Sequence, residues 1–488
     1  MNVILPILLP LITAALIQII GRLTDNQNLR DGVHTAMAVV TFYFVYQLLP
    51  EVLNNNQPAY TFVEFAAGLS LQFTVEPLGM LFALVASGLW IPTSLYAFGY
   101  MRGHHEGNQT RFFTCFALAI GFAIGVAFSG NLLTLFAFYE ALTFSTFPLV
   151  THHQNAAAKR SGRIYIGILV TTSVCFLLTG IVAVYHLTGT MDFKAGGILP
   201  SELSTSTTAL LLALFAFGTG KAALVPFHKW LPNAMVAPTP VSALLHAVAV
   251  VKAGVFTVLK VVVYVFGFDI LNATGANQFL MVVAAFTILF SSCVALTKDN
   301  LKARLAYSTI SQLSYIVLGA ALATPSAAMG ASLHIVMHAV GKITLFFCAG
   351  AIMVAAHKKY ISQLDGIGRK MPWTMAAFTI GSFSIIGLPP FGGAWSKWFL
   401  GLGAFEAEQS IYAITYMVSS LLSIGYLMPI VGRAYFRKPS EYDEKHVHEA
   451  PFLCVLPLCV TALGCLLLFF FPSFIYDLLL PVFQGVKS

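Results

Sequence analysis

Five lysines stand inside long apolar runs of this 488-residue chain: Lys221, Lys252, Lys260, Lys342 and Lys397. Among its 19 acidic residues only Glu140, in NLLTLFAFYEALTFSTFPLV, is expected at mid-span depth. An ionised side chain at the centre of a bilayer costs at least about 2.5–3.5 kcal/mol. Such groups persist only if they face a hydrated interior, pair, or change protonation state. Burial and a nearby carboxylate act in opposite senses on an amine's hold on its proton, and lysine responds readily to both. A Glu140–Lys221 pair would therefore keep the lysine charged, and separating the two would favour release of a proton. The chemistry these residues suit is proton transfer.

Histidines and prolines extend the pattern. His334, His338 and Lys342 follow at i, i+4, i+8 in ASLHIVMHAVGKITLFF and so line one helical face. His246 and Lys252 lie close together in GTGKAALVPFHKWLPNAMVAPTPVSALLHAVAVVKAG, residues 218–254. Imidazole accepts and donates protons in turn near its own pKa. A metal pair at His334/His338 and plain packing are the competing readings; no third ligand and no HExxH motif is nearby. Lys260, near a span end, reads as a snorkelling or packing residue more readily than as a functional one, and Lys229 equally as a loop anchor or a relay member. His104/His105 and His152/His153 read as solvated loop residues. Pro226 follows Lys221, and Pro389-Pro390 precede Lys397. A proline inside a span frees backbone groups, which is tolerable only where they meet protein or water. Two interrupted helices, each near a lysine, point to the ion path of a repeat-built transporter. PFHKW at 226–230 and GAWSKW at 393–398 echo one another weakly, aligning Lys397 with Lys229 rather than Lys221.

The elements that must hold these groups are membrane spans. Hydrophobic residues make up 58% of the chain and charged ones 9%, with a mean hydropathy of +0.82, where soluble domains average about 25% charged. About fourteen apolar stretches of spanning length recur: 2–21, 32–50, 72–99, 112–128, 131–150, 164–188, 208–226, 241–267, 277–297, 303–323, 328–356, 374–401, 410–432 and 451–476. The N-terminal stretch lacks a basic leader region and an obvious cleavage site, so it reads as the first span. If loops alternate sides, 19 Lys/Arg fall on one side, 2 on the other and five within spans. The basic side is cytoplasmic by the positive-inside rule, which sets both termini outside. The net charge of +7 follows from that bias and gives no reason to expect a nucleic-acid partner. The seven cysteines form no CxxC pair and read as packing residues in an all-α polytopic membrane protein.

The 218–254 stretch resembles the signature of the antiporter-like subunits of respiratory complex I, membrane-bound hydrogenases and Mrp-type cation/proton antiporters. FAFYEALT, KARLAYSTISQLSYI, HIVMHAVGKITLFFCAG and IIGLPPFGGAWSKWFL resemble further stations of that family. The resemblance implies about 14 transmembrane helices with two inverted five-helix repeats, each holding a broken helix. The expected layout is N-terminal helices in 1–110, repeats in 111–270 and 271–435, and a final loop and helix in 436–488. It further implies a mid-membrane axis in which Glu140 resembles the key glutamate, Lys221 its partner, and Lys252 with His246 the connecting pair. His334, His338 and Lys342 resemble the central relay, and Lys397 the terminal lysine. Length, Lys397 and its AWSKW context are most similar to the D-type subunit of Mrp antiporters.

The expected function is proton translocation in a multisubunit Na⁺ (or other monovalent cation)/proton antiporter of the bacterial plasma membrane, with other membrane subunits as partners. The alternative is a pump module of a complex I-like dehydrogenase or a hydrogenase. No cofactor or metal motif is present, so redox chemistry would belong to partner subunits. A scaffold role would leave the buried charges without use.

Overall fold

Asparagine, serine, threonine or glutamate side chains cap many helix starts, accepting backbone N–H groups that would otherwise be orphaned. Asn26, Glu76, Asn131, Asn155, Ser204, Asn300 and Thr324 all do so. The computed structural model describes residues 3–66, 68–244 and 249–484. It begins with α1 (Leu5–Leu23), α2 (Gln27–Tyr46) and the short α3 (Leu49–Leu53), then a hairpin of β1 (Ala59–Ala66) and β2 (Leu69–Thr74). Next come α4 (Pro77–Gly103), α5 (Gln109–Ala127) and α6 (Leu132–Val150), then α7 (Ala156–Thr172) and α8 (Leu178–Thr188). A π turn, Ser173–Leu177, joins the last two into one rod of 33 residues.

The first break follows α9 (Thr205–Gly218). The chain unwinds through 3₁₀ turns at Gly220–Ala222 and Phe227–Lys229, the single turn α10 (Trp230–Asn233) and a 3₁₀ turn at Ala234–Val236. It resumes as α11 (Thr239–Ala243) and, beyond 245–248, as α12 (Val250–Val261). That helix continues through a π turn, Val262–Phe266, and bends by 82° into α13 (Phe268–Thr274). Then follow α14 (Gln278–Thr297), α15 (Leu301–Ala321), α16 (Pro325–Ala356) and α17 (Pro372–Ile386). The second break separates α17 from α18 (Gly393–Glu406), and α19 (Ser410–Phe436), α20 (Glu441–His446), α21 (Phe452–Phe470) and α22 (Ser473–Gln484) complete the chain.

Among the described residues ten helices are long and apolar enough to cross a membrane, and the bent α12–α13 pair makes an eleventh. Most expected spans fall within a few residues of a helix. The expected span at 72–99 starts later: 69–74 is β2, and the helix opens only after the Glu76 cap. The expected loop at 51–64 holds β1, in which Tyr60, Phe62 and Phe65 favour extended backbone and Gly68, at φ 77°, makes the turn. Cys175 and Cys293 lie on exposed helix faces rather than in the core.

Loops expected on one side of the membrane meet in space. At the basic end Arg30 and Arg102 both bind Asp31, and Arg102 also reaches Asn28. Arg111 donates to the carbonyl of His152, Lys358 pairs with Asp443, and Arg433 with Asp365. At the far end the Asn131 side chain donates to the Ser70 carbonyl, the Asn272 side chain to the Ala323 carbonyl, and the Ser326 backbone N–H to Glu406. The buried axis runs between these two ends.

Candidate proton-relay site

The helix breaks place the lysines. Where α9 ends, Lys221 in the following 3₁₀ turn is fully buried. Its ammonium donates to the Tyr139 carbonyl (2.8 Å) and the Thr143 hydroxyl (2.6 Å), and sits 3.1 Å from the centre of the Tyr139 ring. The freed carbonyl of Gly220 accepts the indole N–H of Trp230 at 2.9 Å. Pro226 lies five residues beyond Lys221, in the unwound segment where its missing N–H has no helical partner to lose. At the second break the same logic is more direct. Ile386 ends α17, and its carbonyl takes the Lys397 ammonium at 2.8 Å, with the Ser420 hydroxyl at 2.9 Å. Pro389 and Pro390 occupy the exposed unwound stretch between α17 and α18. At the second break the broken helix itself thus supplies a backbone acceptor for the charge.

Glu140 does not form the expected ion pair with Lys221. Lys221 instead grips the backbone and hydroxyl of the helix that carries Glu140. Both carboxylate oxygens of Glu140 are buried and accept no hydrogen bond among the described residues. The residue is half-buried, on the α6 face that also carries the exposed Phe144. An intact pair in one chain was the simpler expectation; here the carboxylate is enclosed without a hydrogen-bond partner among the described residues.

The middle of the axis lies on α12 and α16. Lys252 Nζ is 2.7 Å from His338 Nδ1, and both side chains are buried. His334, one turn away on the same face, bonds Ser396 Oγ through Nδ1 at 2.8 Å and stacks on Tyr315 at 5.4 Å. Lys342, a turn further, donates to Ser308 Oγ at 2.6 Å, with the Leu305 carbonyl at 3.5 Å. His246 lies outside the described residues. Gly254 lets α12 approach the first break: a Cβ there would collide with the backbone of Lys221 and Ala222. His334 and His338 therefore turn to Ser396 and Lys252 rather than to a shared ligand.

Hydroxyls absent from the sequence reading complete the second half. Ser308 donates to Tyr426 (3.0 Å), Tyr426 meets Ser423 (2.8 Å), and Ser423 donates to the Ser419 carbonyl (2.9 Å). Ser419 also sits 3.0 Å from Ser292 and 3.2 Å from Ser311, and its neighbour Ser420 takes Lys397. The run SSLLSIGY in α19 was their signal. Read with α19 as an outward helix it looks like small packing residues. Lys397 itself is half-buried and lines an apolar groove of about 540 Å³ with Trp398 and Met417.

The fifth lysine behaves differently. Lys260 does not snorkel; it is fully buried and pairs with Glu76 at 3.0 Å. Glu76, near the start of the expected 72–99 span, is 4% exposed, caps α4 and accepts the Tyr264 hydroxyl at 2.9 Å. Carbonyls of Ser129 (2.8 Å) and Ala127 (3.4 Å) complete the ammonium's shell. Lys229 is exposed, as a loop anchor would be.

A family described as NADH:quinone oxidoreductase/Mrp antiporter, TM, matches residues 129–423, a stretch that holds every lysine of the axis. The chain belongs to this family. It is 31% identical over 485 residues to the NADH-quinone oxidoreductase subunit N of Desulforudis audaxviator, covering 95% of each chain. A Staphylococcus haemolyticus protein named as antiporter subunit mnhA2 is 32% identical over 483 residues, which are 91% of this chain and 58% of that one. The fold matches a chain of the archaeal membrane-bound sulfane sulfur reductase with a TM-score of 0.88 at 22% identity. It matches a chain of the Mrp complex from a Dietzia species with 0.87 at 21%. Each match covers 99% of this chain and 97% of the other. This is a multi-pass, antiporter-like, proton-translocating membrane subunit of an Mrp- or complex I-like assembly.

Proposed function

We propose that the chain is the D-type proton-translocating subunit of a multisubunit Na⁺/proton antiporter. Protons would move along Glu140, Lys221, Lys252 with His246, His338 with His334, Lys342 and Lys397. One contrast carries the reading. Lys260 is locked to a carboxylate, whereas the other four buried or half-buried lysines rest on carbonyl, imidazole or hydroxyl acceptors. A carboxylate pins a proton on the amine; a neutral acceptor leaves loading and release close in free energy. Four such sites in series make a path. The Glu140 carboxylate, which accepts no hydrogen bond among the described residues, lies on the α6 face that carries the exposed Phe144, and this supports a neighbouring membrane subunit docking there. On this reading the basic end faces the cytoplasm of a bacterial cell and both termini face out.

A second reading has its own support. The chain covers 95% of a subunit N but 58% of the antiporter-named relative, so a pump module of a redox complex remains the alternative. Sodium-driven proton flux in vesicles carrying the whole assembly, wild type against Lys221→Ala, tests the first. Lost flux with assembly intact on a native gel is the expected result; wild-type flux in the variant would refute the relay. Co-purification of iron–sulfur subunits in place of small hydrophobic ones would select the alternative.

A further inference from the structure

Three histidines at the basic end, outside the axis, converge on one carboxylate. Glu106 lies in the loop after α4, and its side chain is 9% exposed. His153 Nδ1 stands 3.5 Å from it, His152 Nε2 3.9 Å and His104 Nε2 4.0 Å. The backbone is bent to make this cluster. His105, Asn108, Gln154 and His357, in the three loops that meet there, all take left-handed φ values between 50° and 55°. Residues other than glycine hold that conformation only where their surroundings enforce it. In the loop that carries Glu106, Gln109 donates to the Glu106 carbonyl and accepts Arg30, which is itself fixed to buried Asp31.

Beneath the cluster is a cavity of about 210 Å³, room for several waters. Two helices run from its lining towards the relay. Lys302, which donates to the Ala237 carbonyl at the first break, lies three and six residues before Leu305 and Ser308, the acceptors of Lys342. At 1.5 Å per residue that is about 9 Å along α15. Ala349, also in the lining, lies seven residues beyond Lys342 on α16, about 10 Å.

We propose that Glu106 with His104, His152 and His153 forms a proton-loading vestibule that serves Lys342 through this cavity. The proposal rests on the relay reading above. A proton leaves bulk water for a ring nitrogen of His153 or His104 and passes to a Glu106 oxygen. It then crosses cavity water to the level of Lys302 and is relayed the remaining distance of about 9 Å, over water and the Ser308 hydroxyl, to the lone pair of Lys342 in its amine form; each step makes one bond to hydrogen and breaks one. Burial raises the Glu106 carboxyl, against the pull of His104 and Lys302. Burial and Lys302 lower His153, and burial lowers His104 against the pull of Glu106. Acid and bases are thereby shifted towards one another, which lowers the cost of transfer between them. The other charges facing the cluster, Arg111, Lys302, Lys358 and Lys359, are all cationic. One carboxylate against that rim is a poor seat for a sodium ion, while a proton needs only a lone pair.

The test uses the assembled complex in vesicles with the basic end exposed. In Glu106→Gln, exchange should slow about five- to tenfold and become dependent on the concentration of inorganic phosphate, an impermeant proton carrier, on that side; wild type should show no such dependence. Lys342→Met should be inactive at every phosphate concentration. Wild-type exchange in Glu106→Gln beside an inactive Lys342→Met would overturn the vestibule and leave the relay standing. Wild-type exchange in both would remove the relay reading itself. If the glutamine variant fails to assemble, His153→Gln, whose ring is 32% exposed, is read by the same criteria.

Discussion

Lys252 Nζ and His338 Nδ1 share a 2.7 Å hydrogen bond between two buried side chains. One nitrogen must donate and the other accept, so the pair holds one transferable proton comfortably. Loading both would set two positive charges side by side in a buried site.

Lys252→Arg separates charge from proton transfer. Guanidinium keeps the positive charge but does not give up its proton in proteins. Exchange by the assembled complex should fall at least about a hundredfold, about 2.7 kcal/mol in barrier. Flux in vesicles, with assembly checked on a native gel, measures it. An active arginine variant would show that only the charge matters.

Glu76 and Lys260 should behave as a structural pair. Lys260→Met leaves a buried carboxylate alone and should cost about 3–5 kcal/mol. Adding Glu76→Gln, which keeps an oxygen for the α4 cap, should recover most of that loss. Thermal unfolding of the four proteins in the cycle gives the coupling. If the two losses simply add, the ion pair contributes nothing.

His152 predicts an acid-side stability change. Burial, helped by Arg111, lowers its pKa from 6.5 to about 4. Between those values the unfolded chain binds the proton and the folded one does not, so stability falls as pH drops from 6.5 towards 4. Glu106, raised by burial, acts in the opposite sense nearby. The difference in melting temperature between wild type and His152→Gln should therefore isolate the histidine. It should favour wild type near pH 7 and shrink steadily as the pH is lowered to 4; a flat difference would refute it.

Much of this architecture was legible because charges and prolines are so costly in apolar segments that their positions carry meaning. Lys221, Lys342, Lys397 and both breaks stand out for that reason. Serine is cheap there and therefore silent: Ser308, Ser420 and Ser423 read as small packing residues until α15 and α19 are seen side by side. Depth misled at Lys260. Counting placed it near a span end, but the helix runs on through the π turn and bends only after Phe266. Glu76 was passed over by the same counting, since the 72–99 span set it near a membrane end, whereas as the α4 cap it is buried. The Glu140–Lys221 expectation had the right partners in type and the wrong contact. Periodicity says which face a residue occupies, not whether its neighbour's backbone is closer than its neighbour's side chain.

The serines beside Lys342 and Lys397 bear on thermodynamics as well as geometry. A hydroxyl can accept from an ammonium or turn and donate to a neutral amine, so it favours neither occupancy strongly. On the relay reading, the second half of the axis is then a wire without a valve, equally ready to run either way. Direction would be imposed at its ends, by whatever covers Glu140 and whatever fills the groove at Lys397. The same chain could discharge an ion gradient in one assembly and build one in another.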